Sequence, residues 1–454
     1  MPRLFGTDGV RGLAGRDITA CLALNLAAAA ARELTSADPK AADDVARHLR
    51  AVVGVDSRVS GDMLAAACAA GLASAGVNVT QAGVIPTPGL AYLTRTGGFD
   101  LGVMISASHN PYPDNGIKFF AGTGYKLPDA VEDRIEARLE QGWDAATGAA
   151  VGRTMTDPAA DQPYIDALVA AASGSLAGLK VVLDCANGAA YHVAPAVFER
   201  LGATVVALAN QPDGVNINDQ VGSTHPEALQ QAVVANQADM GFAFDGDADR
   251  CLAVDAAGQL VDGDQIMGIL ALSLKAEGRL SEDTLVTTVM SNLGLFKAME
   301  AAGVTTVQTA VGDRYVLEAM LAGGYALGGE QSGHIIMTEH ATTGDGTLTA
   351  VQLACRVAGS GRPLSELASV VQAFPQVLIN VGGVDKARAG TDPGVLAGVD
   401  QAEAELGESG RVLLRPSGTE PLVRVMVEAA TEDQANAVAQ ALAATVTERL
   451  ALPE

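Results

Sequence analysis

The sequence predicts an α/β protein: three similar α/β domains with mixed, largely parallel sheets, followed by a C-terminal α+β domain. Three observations carry this reading. A unit made of an apolar strand, a polar turn, an Ala-rich helix and a Gly-led second strand recurs three times along the chain. Strands and helices alternate within it at the spacing of βαβ units, which build parallel sheets. After about Phe374 that rhythm gives way to an α+β order.

The first copy runs from Ala51-Val52-Val53-Gly54-Val55 through Asp56-Ser57-Arg58 and a helix over 63–75 to Gly76-Val77-Asn78-Val79. The second runs from Lys180-Val181-Val182-Leu183 through Asp184-Cys185-Ala186-Asn187-Gly188 to Gly202-Ala203-Thr204-Val205-Val206. The third, with a shorter helix, runs from Leu285-Val286-Thr287-Thr288-Val289 through Ser291-Asn292 to Gly303-Val304-Thr305-Thr306-Val307. Then come a strand over 377–381, a helix over 399–406, strands over 411–414 and 422–428, and a last helix over 432–450. Turn residues interrupt the periodicity near Asp157-Pro158, Gly258 and Phe374-Pro375, so the expected domains are 1–157, 158–258, 259–373 and 374–454.

Composition agrees with close packing of Ala-rich helices on Val-rich strands: 48% of the 454 residues are hydrophobic but only 4% aromatic. With 53 acidic and 29 basic side chains the net charge is −24, which opposes binding to nucleic acid or anionic lipid. An anionic substrate therefore requires a locally basic cleft. The cysteines Cys21, Cys68, Cys185, Cys251 and Cys355 are odd in number and scattered, so neither a disulfide framework nor a zinc site is expected. The apolar stretch 18–31 contains Thr19 and Asn25 and falls short of the ~18–20 residues of a membrane span. The start, Met1 to Gly6, lacks the apolar core of a signal peptide, and a cytoplasmic location is expected.

Chemistry concentrates where apolar strands end. Gly241-Phe242-Ala243-Phe244 leads into Asp245-Gly246-Asp247-Ala248-Asp249-Arg250, three carboxylates at alternate positions and so on one side of an extended segment. Mg²⁺ binds a few carboxylates together with a phosphate oxygen, which makes Asp245, Asp247 and Asp249 candidate magnesium ligands. A calcium EF-hand is excluded, because Arg250 stands where the loop requires Gly and Ala256 where it requires Glu. Two other readings stay open on these residues alone: a solvated acidic turn, and a haloacid-dehalogenase-type phosphatase with Asp245 as nucleophile. The latter pattern wants Thr or Val where Asp249 stands.

Leu101-Gly102-Val103-Met104-Ile105 ends in Ser106-Ala107-Ser108-His109-Asn110-Pro111. Ser108 beside His109 is a candidate nucleophile, since a serine hydroxyl needs an adjacent base. Once phosphorylated it carries about −1.5 to −2 charge and would complete a metal site with the three aspartates. By itself the segment reads equally as an ordinary Asn-Pro turn. In Arg415-Pro416-Ser417-Gly418-Thr419-Glu420, between two strands, backbone amides can form a nest for anion oxygens and Arg415 can grip a phosphate bidentately, with Arg424 close in sequence. A hairpin turn with solvated polar residues is the plainer reading. Gly328-Gly329-Glu330-Gln331-Ser332-Gly333-His334 sets a carboxylate, a hydroxyl and an imidazole at alternate positions among small residues, which suits sugar hydroxyls or a glycine-rich turn. Phe5-Gly6-Thr7-Asp8-Gly9-Val10-Arg11-Gly12 offers Arg11 as a phosphate contact. The sequence contains no Gly-x-x-x-x-Gly-Lys-Ser/Thr nucleotide loop.

Taken together, and in order along the whole chain, these segments resemble the α-D-phosphohexomutase family. Ala107 to Pro111 is similar to its phosphoserine loop, Asp245 to Arg250 to its metal loop, Gly329 to His334 to its sugar loop, and Arg415 to Thr419 to its phosphate loop. Phe5 to Gly12, Gln331 and Arg415 to Glu428 resemble the bacterial amino-sugar branch of that family. The Ala- and Asp-rich segment 34–50 is longer than that branch usually carries, and a surface insertion is expected there.

The resemblance implies four domains, the first three alike, around a central cleft that receives one loop from each. It implies an isomerase that interconverts glucosamine 6-phosphate and glucosamine 1-phosphate through phospho-Ser108 and a 1,6-bisphosphate intermediate, in the supply of UDP-N-acetylglucosamine for cell-wall synthesis. On the same ground His109 and Lys118 are the proton-transfer groups, with Arg11 beside them. Mg²⁺ rests on Ser108, Asp245, Asp247 and Asp249, and Arg250 holds the phosphoserine. Glu330, Ser332 and His334 meet the sugar, and Arg415, Ser417, Gly418, Thr419 and Arg424 meet the phosphate that is not reacting. A hexose 1,6-bisphosphate is the implied activator and a phosphosugar the implied partner, with room for a homodimer and no nucleic acid or membrane. The alternatives are a phosphomannomutase or phosphoglucomutase of the same family, Gln331 being the single sequence reason for the amine sugar; the Asp245 phosphatase; and a non-catalytic sugar-phosphate-binding regulator.

Overall fold

The computed structural model describes residues 3–6, 8–37, 49–417 and 420–452. Gly418 and Thr419 of the expected phosphate loop, and 38–48 of the expected insertion, lie outside the described residues. The chain forms two compact units, residues 1–289 with 305–369, and residues 290–304 with 370–454.

The larger unit holds three mixed sheets built on one plan, a parallel core, as the recurring sequence unit predicts, with an antiparallel strand added beside it. In the first, Arg50–Val55 pairs in parallel with Asn78–Val84 and Leu101–Ile105, and Asp114–Ala121 closes it antiparallel to Leu101–Ile105. Val10–Leu13 adds to that edge and Thr154–Thr156 to the other. In the second, Lys180–Asp184 lies between Thr204–Leu208 and Met240–Phe244, all parallel, and Cys251–Asp255 runs antiparallel beside Met240–Phe244. In the third, Thr284–Thr288 lies between Thr305–Thr309 and Leu327–Gly329 in parallel, and Ile335–Met337 returns antiparallel.

Leu101–Ile105 and Met240–Phe244 are buried at every position. That is why both read as unbroken apolar runs: a strand covered on both faces has no side to leave polar. Small side chains let the helices come close, so Ala23, Ala27 and Ala30 of the helix Ala20–Ala37 share a core with Cys68 and Leu72 of Gly61–Ser74. Among the described residues no helix is long and apolar enough to cross a membrane.

The smaller unit is an antiparallel sheet in the order Gln376–Gly382, Leu422–Glu428, Arg411–Pro416, packed with the helices Pro393–Leu406 and Glu432–Leu450. Val423, Val425 and Val427 face Leu442 and Val446 in its core. The first of these helices starts six residues before the expected Val399. Asp392 supplies the reason, because its carboxylate accepts hydrogen bonds from the N–H groups of Gly394 and Val395, with Pro393 in the first turn. The helix Leu293–Ala301 also belongs to this unit, and its Leu293 N–H donates to Glu428 Oε2 at 2.9 Å.

Candidate active site

Two buried strand ends bring the candidate nucleophile to the acidic loop. Ser108 follows Leu101–Ile105, and Asp245 directly follows Met240–Phe244. Ser108 Oγ donates to Asp245 Oδ2 at 2.5 Å and lies 3.4 Å from His109 Nδ1. Ser108 has φ of 52°, in the left-handed region that costs a residue with a side chain about 1–2 kcal/mol. The approach of the two loops requires Gly246, since a Cβ there would stand 2.5 Å from the Ser108 carbonyl oxygen.

Asp245, Asp247 and Asp249 are all buried, and their ligand atoms lie within 4.8 Å of one another. Their oxygens are unequally employed. Asp247 Oδ2 accepts from Thr87 Oγ1 at 2.6 Å and Lys118 Nζ at 2.9 Å, and Asp245 Oδ1 accepts from the Arg250 N–H at 3.2 Å. Asp247 Oδ1 and Asp249 Oδ1 are buried without a hydrogen-bond partner. Burial, and then the charges of Asp249 and Asp247, push the Asp245 carboxyl well above the usual range. Burial and the Asp247 charge raise Asp249 as well. Burial would raise Asp247 too, but Lys118 and the Thr87 hydroxyl hold it low. Repelling buried carboxylates with orphaned oxygens are a donor set that fits a hard divalent cation.

Lys118 lies opposite Met104 on Asp114–Ala121, buried between Asp247 and Asp8, with Asp8 Oδ2 at 2.8 Å and Asp249 Oδ2 at 4.0 Å. Burial alone would lower its pKa, but Asp247, Asp8 and Asp249 outweigh that and keep the ammonium charged. Asp8 also pairs with Arg11 and with Lys126, and Lys126 reaches on to Asp313, which lies 3.8 Å from His334 Nε2. A cavity of about 490 Å³ opens over this network, lined by Arg11, Ser108, His109, Arg250, Glu330 and His334 among others. Arg11 Nε, Arg250 Nε and both ring nitrogens of His334 are buried without hydrogen-bond partners. Asp8, Asp249 and Asp313 line the same cavity, so its charge is mixed rather than uniformly basic, and what it offers an anion is the unmet N–H groups of Arg11 and Arg250. Burial, followed by the charges of Arg250 and Arg11, lowers the His109 pKa to about 4, so its imidazole is neutral at pH 7.

The sugar-loop candidate is tied to the acidic loop by backbone pairing. Arg250 bridges to His334, and the Cys251 N–H donates to the Gly333 carbonyl at 3.0 Å. Gly333 has φ of 90°, and a Cβ there would meet the Cys251 oxygen at 2.3 Å. Glu330 Oε1 accepts from the Gly312 N–H at 3.1 Å. Ser332 is exposed at the tip of the turn and is not a cavity-lining residue. The Gln331 amide donates to Asp262 Oδ2 at 3.2 Å, and Asp262 caps the helix Gly263–Ala276. Gln331 thus anchors the loop, a role that its sequence position did not reveal.

In the smaller unit, considered by itself, Arg415 and Arg424 are cross-strand partners. Burial and the neighbouring Arg424 charge lower the Arg415 pKa. Two guanidiniums side by side, with Arg424 also on Glu420 Oε2 at 2.8 Å and its Nε buried unpaired, form a site that favours an anion. Ser417 is buried, its hydroxyl accepts from the Glu420 N–H at 3.2 Å, and Lys386 Nζ holds the Ser417 and Glu420 carbonyls at 2.7 and 3.0 Å.

Asp8, Thr87, Lys126, Asp313, Arg58, Asn218 and Lys386 are the residues that sequence reasoning missed as contributors. Asp8 had a weak signal in its place near Arg11, and Arg58 a local partner in Asp56; the others acquire partners only through tertiary contact.

The sequence matches four segments described as phosphoglucomutase/phosphomannomutase: alpha/beta/alpha domain I over residues 2–145, domain II over 162–258, domain III over 262–374, and the C-terminal domain over 363–445. It is 60% identical to the phosphoglucosamine mutase of Acidothermus cellulolyticus, over 99% of this chain and 96% of that one. It is 59% identical to that of Kineococcus radiotolerans over the full length of both. Among solved structures, a phosphoglucomutase/phosphomannomutase family protein from Burkholderia thailandensis superposes with a TM-score of 0.81 at 24% identity, over 98% of this chain and 97% of that one. Aspergillus fumigatus N-acetylphosphoglucosamine mutase, in complex with GlcNAc-6P and magnesium, gives 0.68 at 18% identity, over 98% and 96%. At those identities the structures bear on the fold alone.

Proposed function

Because the chain belongs to the phosphoglucomutase/phosphomannomutase family, we propose that the cavity above Ser108 is where a phosphoryl group is moved between two positions of one hexosamine. The protein is an enzyme, an intramolecular phosphotransferase of the isomerase class, and it interconverts glucosamine 6-phosphate and glucosamine 1-phosphate. The observation that supports the assignment of residues is the 2.5 Å contact of Ser108 with Asp245, beside a cavity lined by Ser108 and by Arg11 and Arg250 with unmet Nε–H groups.

In the proposed mechanism phospho-Ser108 is the donor. Attack by the sugar O1 forms an O–P bond and breaks the bond from Ser108 Oγ to phosphorus, while one proton leaves the sugar hydroxyl and one arrives on Oγ. Neutral His109, beside Oγ, suits the acceptor and charged Lys118 the donor. The bisphosphate then turns over, Ser108 Oγ takes the 6-phosphate by the same bond exchange in reverse, and glucosamine 1-phosphate leaves. Arg11 and Arg250 hold the reacting phosphate, Glu330 and His334 face the sugar, and Ser332 contributes at the loop tip. Magnesium held by Asp245, Asp247 and Asp249 with the phosphoserine would neutralise charge on the phosphoryl oxygens. Arg415, Ser417 and Arg424, with Gly418 and Thr419, take the phosphate that is not reacting. Its binding energy serves orientation at the remote reacting centre.

Further parts of the proposal are a hexose 1,6-bisphosphate activator, domain limits near residues 157, 258 and 373, a cytoplasmic location and a homodimer, which light scattering on the purified protein checks. The function itself is tested by incubating protein, Mg²⁺, a trace of glucose 1,6-bisphosphate and glucosamine 6-phosphate under ³¹P NMR. A glucosamine 1-phosphate signal from wild type and none from Ser108→Ala is expected. Inorganic phosphate from both would point to Asp245 chemistry instead.

A further inference from the structure

We propose that Asn218 is a positioning residue for the reaction at Ser108, its amide holding the serine loop in register with the acidic loop. The inference rests on Ser108 being the nucleophile, as proposed above. Ser108 is held in its left-handed conformation by three hydrogen bonds to its backbone. Its N–H donates to Ser106 Oγ at 2.9 Å, and its carbonyl accepts from Arg58 Nη2 and from Asn218 Nδ2, each at 2.9 Å. The same two donors meet the Asn110 carbonyl, at 2.7 and 3.0 Å. The clamp is double, but its two arms come from different sheets.

Arg58 belongs to the same α/β layer as Ser108. It is anchored at 2.9 Å on Asp56 Oδ2, which also accepts from Ser106 Oγ at 2.7 Å. That arm travels with the serine loop and fixes only its internal shape. Asn218 travels with the acidic loop. Its own N–H donates to the Ala186 carbonyl at 2.9 Å, and the segment after it is tied to the second sheet through Gly222 N–H to Asp184 Oδ2 at 2.9 Å and Ser223 N–H to the Phe244 carbonyl at 2.8 Å. Phe244 immediately precedes Asp245. Between the two loops lies Gly246, where a Cβ would stand 2.5 Å from the Ser108 oxygen and 2.8 Å from Asn218 Nδ2. Asn218 is therefore the side chain that spans from the acidic strand end to the nucleophile's carbonyl. It is not a cavity-lining residue, so its loss alters the placement of Ser108 against the aspartates and leaves the sugar's contacts in place.

Position 218 permits a clean test. Its φ is 56°, a conformation open to Asn, Asp and Gly, so Asn218→Gly removes the amide without adding strain and Asn218→Asp keeps the shape while opposing two carbonyls with an acceptor. Steady-state kcat and KM for glucosamine 6-phosphate are measured with Mg²⁺ and glucose 1,6-bisphosphate, alongside thermal midpoints. Misplacement of a reacting group by a fraction of an ångström to an ångström predicts a kcat lower by about 10- to 100-fold in Asn218→Gly. It predicts at least that loss in Asn218→Asp, with KM within about 3-fold of wild type in both variants and a lowered midpoint in Asn218→Asp alone, whose buried carboxylate faces two carbonyls. Variants matching an active wild type in kcat would overturn the positioning role alone. So would a kcat loss in Asn218→Gly accompanied by a raised KM and a lowered midpoint, which is general loosening. A wild type that does not turn over glucosamine 6-phosphate would overturn the proposed function and this inference together.

Discussion

Replacing Lys118 with methionine keeps most of the side chain's volume and removes its charge from between Asp247 Oδ2 at 2.9 Å and Asp8 Oδ2 at 2.8 Å. Lys118 and Asp247 are essentially inaccessible to water, so solvent cannot take over the lost contact. Removing one partner of a buried ion pair costs about 3–5 kcal/mol, because the abandoned carboxylate stays buried. Asp8 is spared the full penalty, since Arg11 and Lys126 remain beside it. Asp247 keeps only the Thr87 hydroxyl. The cost should therefore fall in the lower half of that range, a drop in thermal midpoint of roughly 4–5 °C for a unit of this size. Differential scanning fluorimetry in EDTA reads it directly. Lys118→Arg, which restores the charge, should recover most of the midpoint, whereas mutase activity should stay down about 100-fold or more in both because proton transfer is lost. A methionine variant melting with the wild type would refute the argument that Lys118 is the counter-ion of the acidic loop.

Asp247→Asn should lower Mg²⁺ affinity measured by calorimetry, and added Mg²⁺ should raise the wild-type melting midpoint but not that of the variant. Arg415→Ala and Arg424→Ala should each reduce kcat/KM about 10- to 100-fold, the loss of a charge-assisted phosphate contact; retention of wild-type kcat/KM by both would remove that loop from the substrate site. Burial raises the Asp345 pKa to about 6, despite its hydrogen bond from Tyr164 at 2.9 Å. Because the folded value lies above the unfolded one, the contribution is present below about pH 4 and lost as pH rises through 6, on the order of 2–3 kcal/mol. Asp345→Asn can still cap the helix Gly346–Ser360, and it should flatten the midpoint-versus-pH curve between about pH 4 and 6; a parallel curve would contradict the assignment.

Much of the fold was legible because its periodicity is local. The three strand–turn–helix units, the strands of the C-terminal domain and the ends of Leu101–Ile105 and Met240–Phe244 all follow from runs of adjacent residues. Ser108 and the three aspartates were legible for the same reason, each lying just beyond a fully buried strand. The helix start at Pro393 was misplaced because the apolar spacing begins later than the Asp392 cap that nucleates it. Residues whose importance comes from partners far along the chain were silent in the sequence: Thr87 meets Asp247 across 160 positions and Asn218 meets Ser108 across 110. Gln331 shows a different failure. Its place in the sugar-loop pattern marked the amino-sugar branch but said nothing of its contact, a hydrogen bond from its amide to Asp262. With that amide engaged, Gln331→Ala should lower kcat/KM for glucosamine, glucose and mannose 6-phosphates alike through loss of the loop anchor and leave the ratios among the three little changed.

The central claim is that Ser108 passes its phosphate to the sugar and takes it back. Enzyme labelled with ³²P at Ser108 from hexose 1,6-bisphosphate, freed of excess label and mixed with unlabelled glucosamine 6-phosphate for a single turnover, tests it most directly. Label should leave the protein and appear in the sugar bisphosphate and glucosamine 1-phosphate, at a rate no slower than steady-state turnover. Label that stays on the protein while product forms, or that emerges as inorganic phosphate, would contradict it.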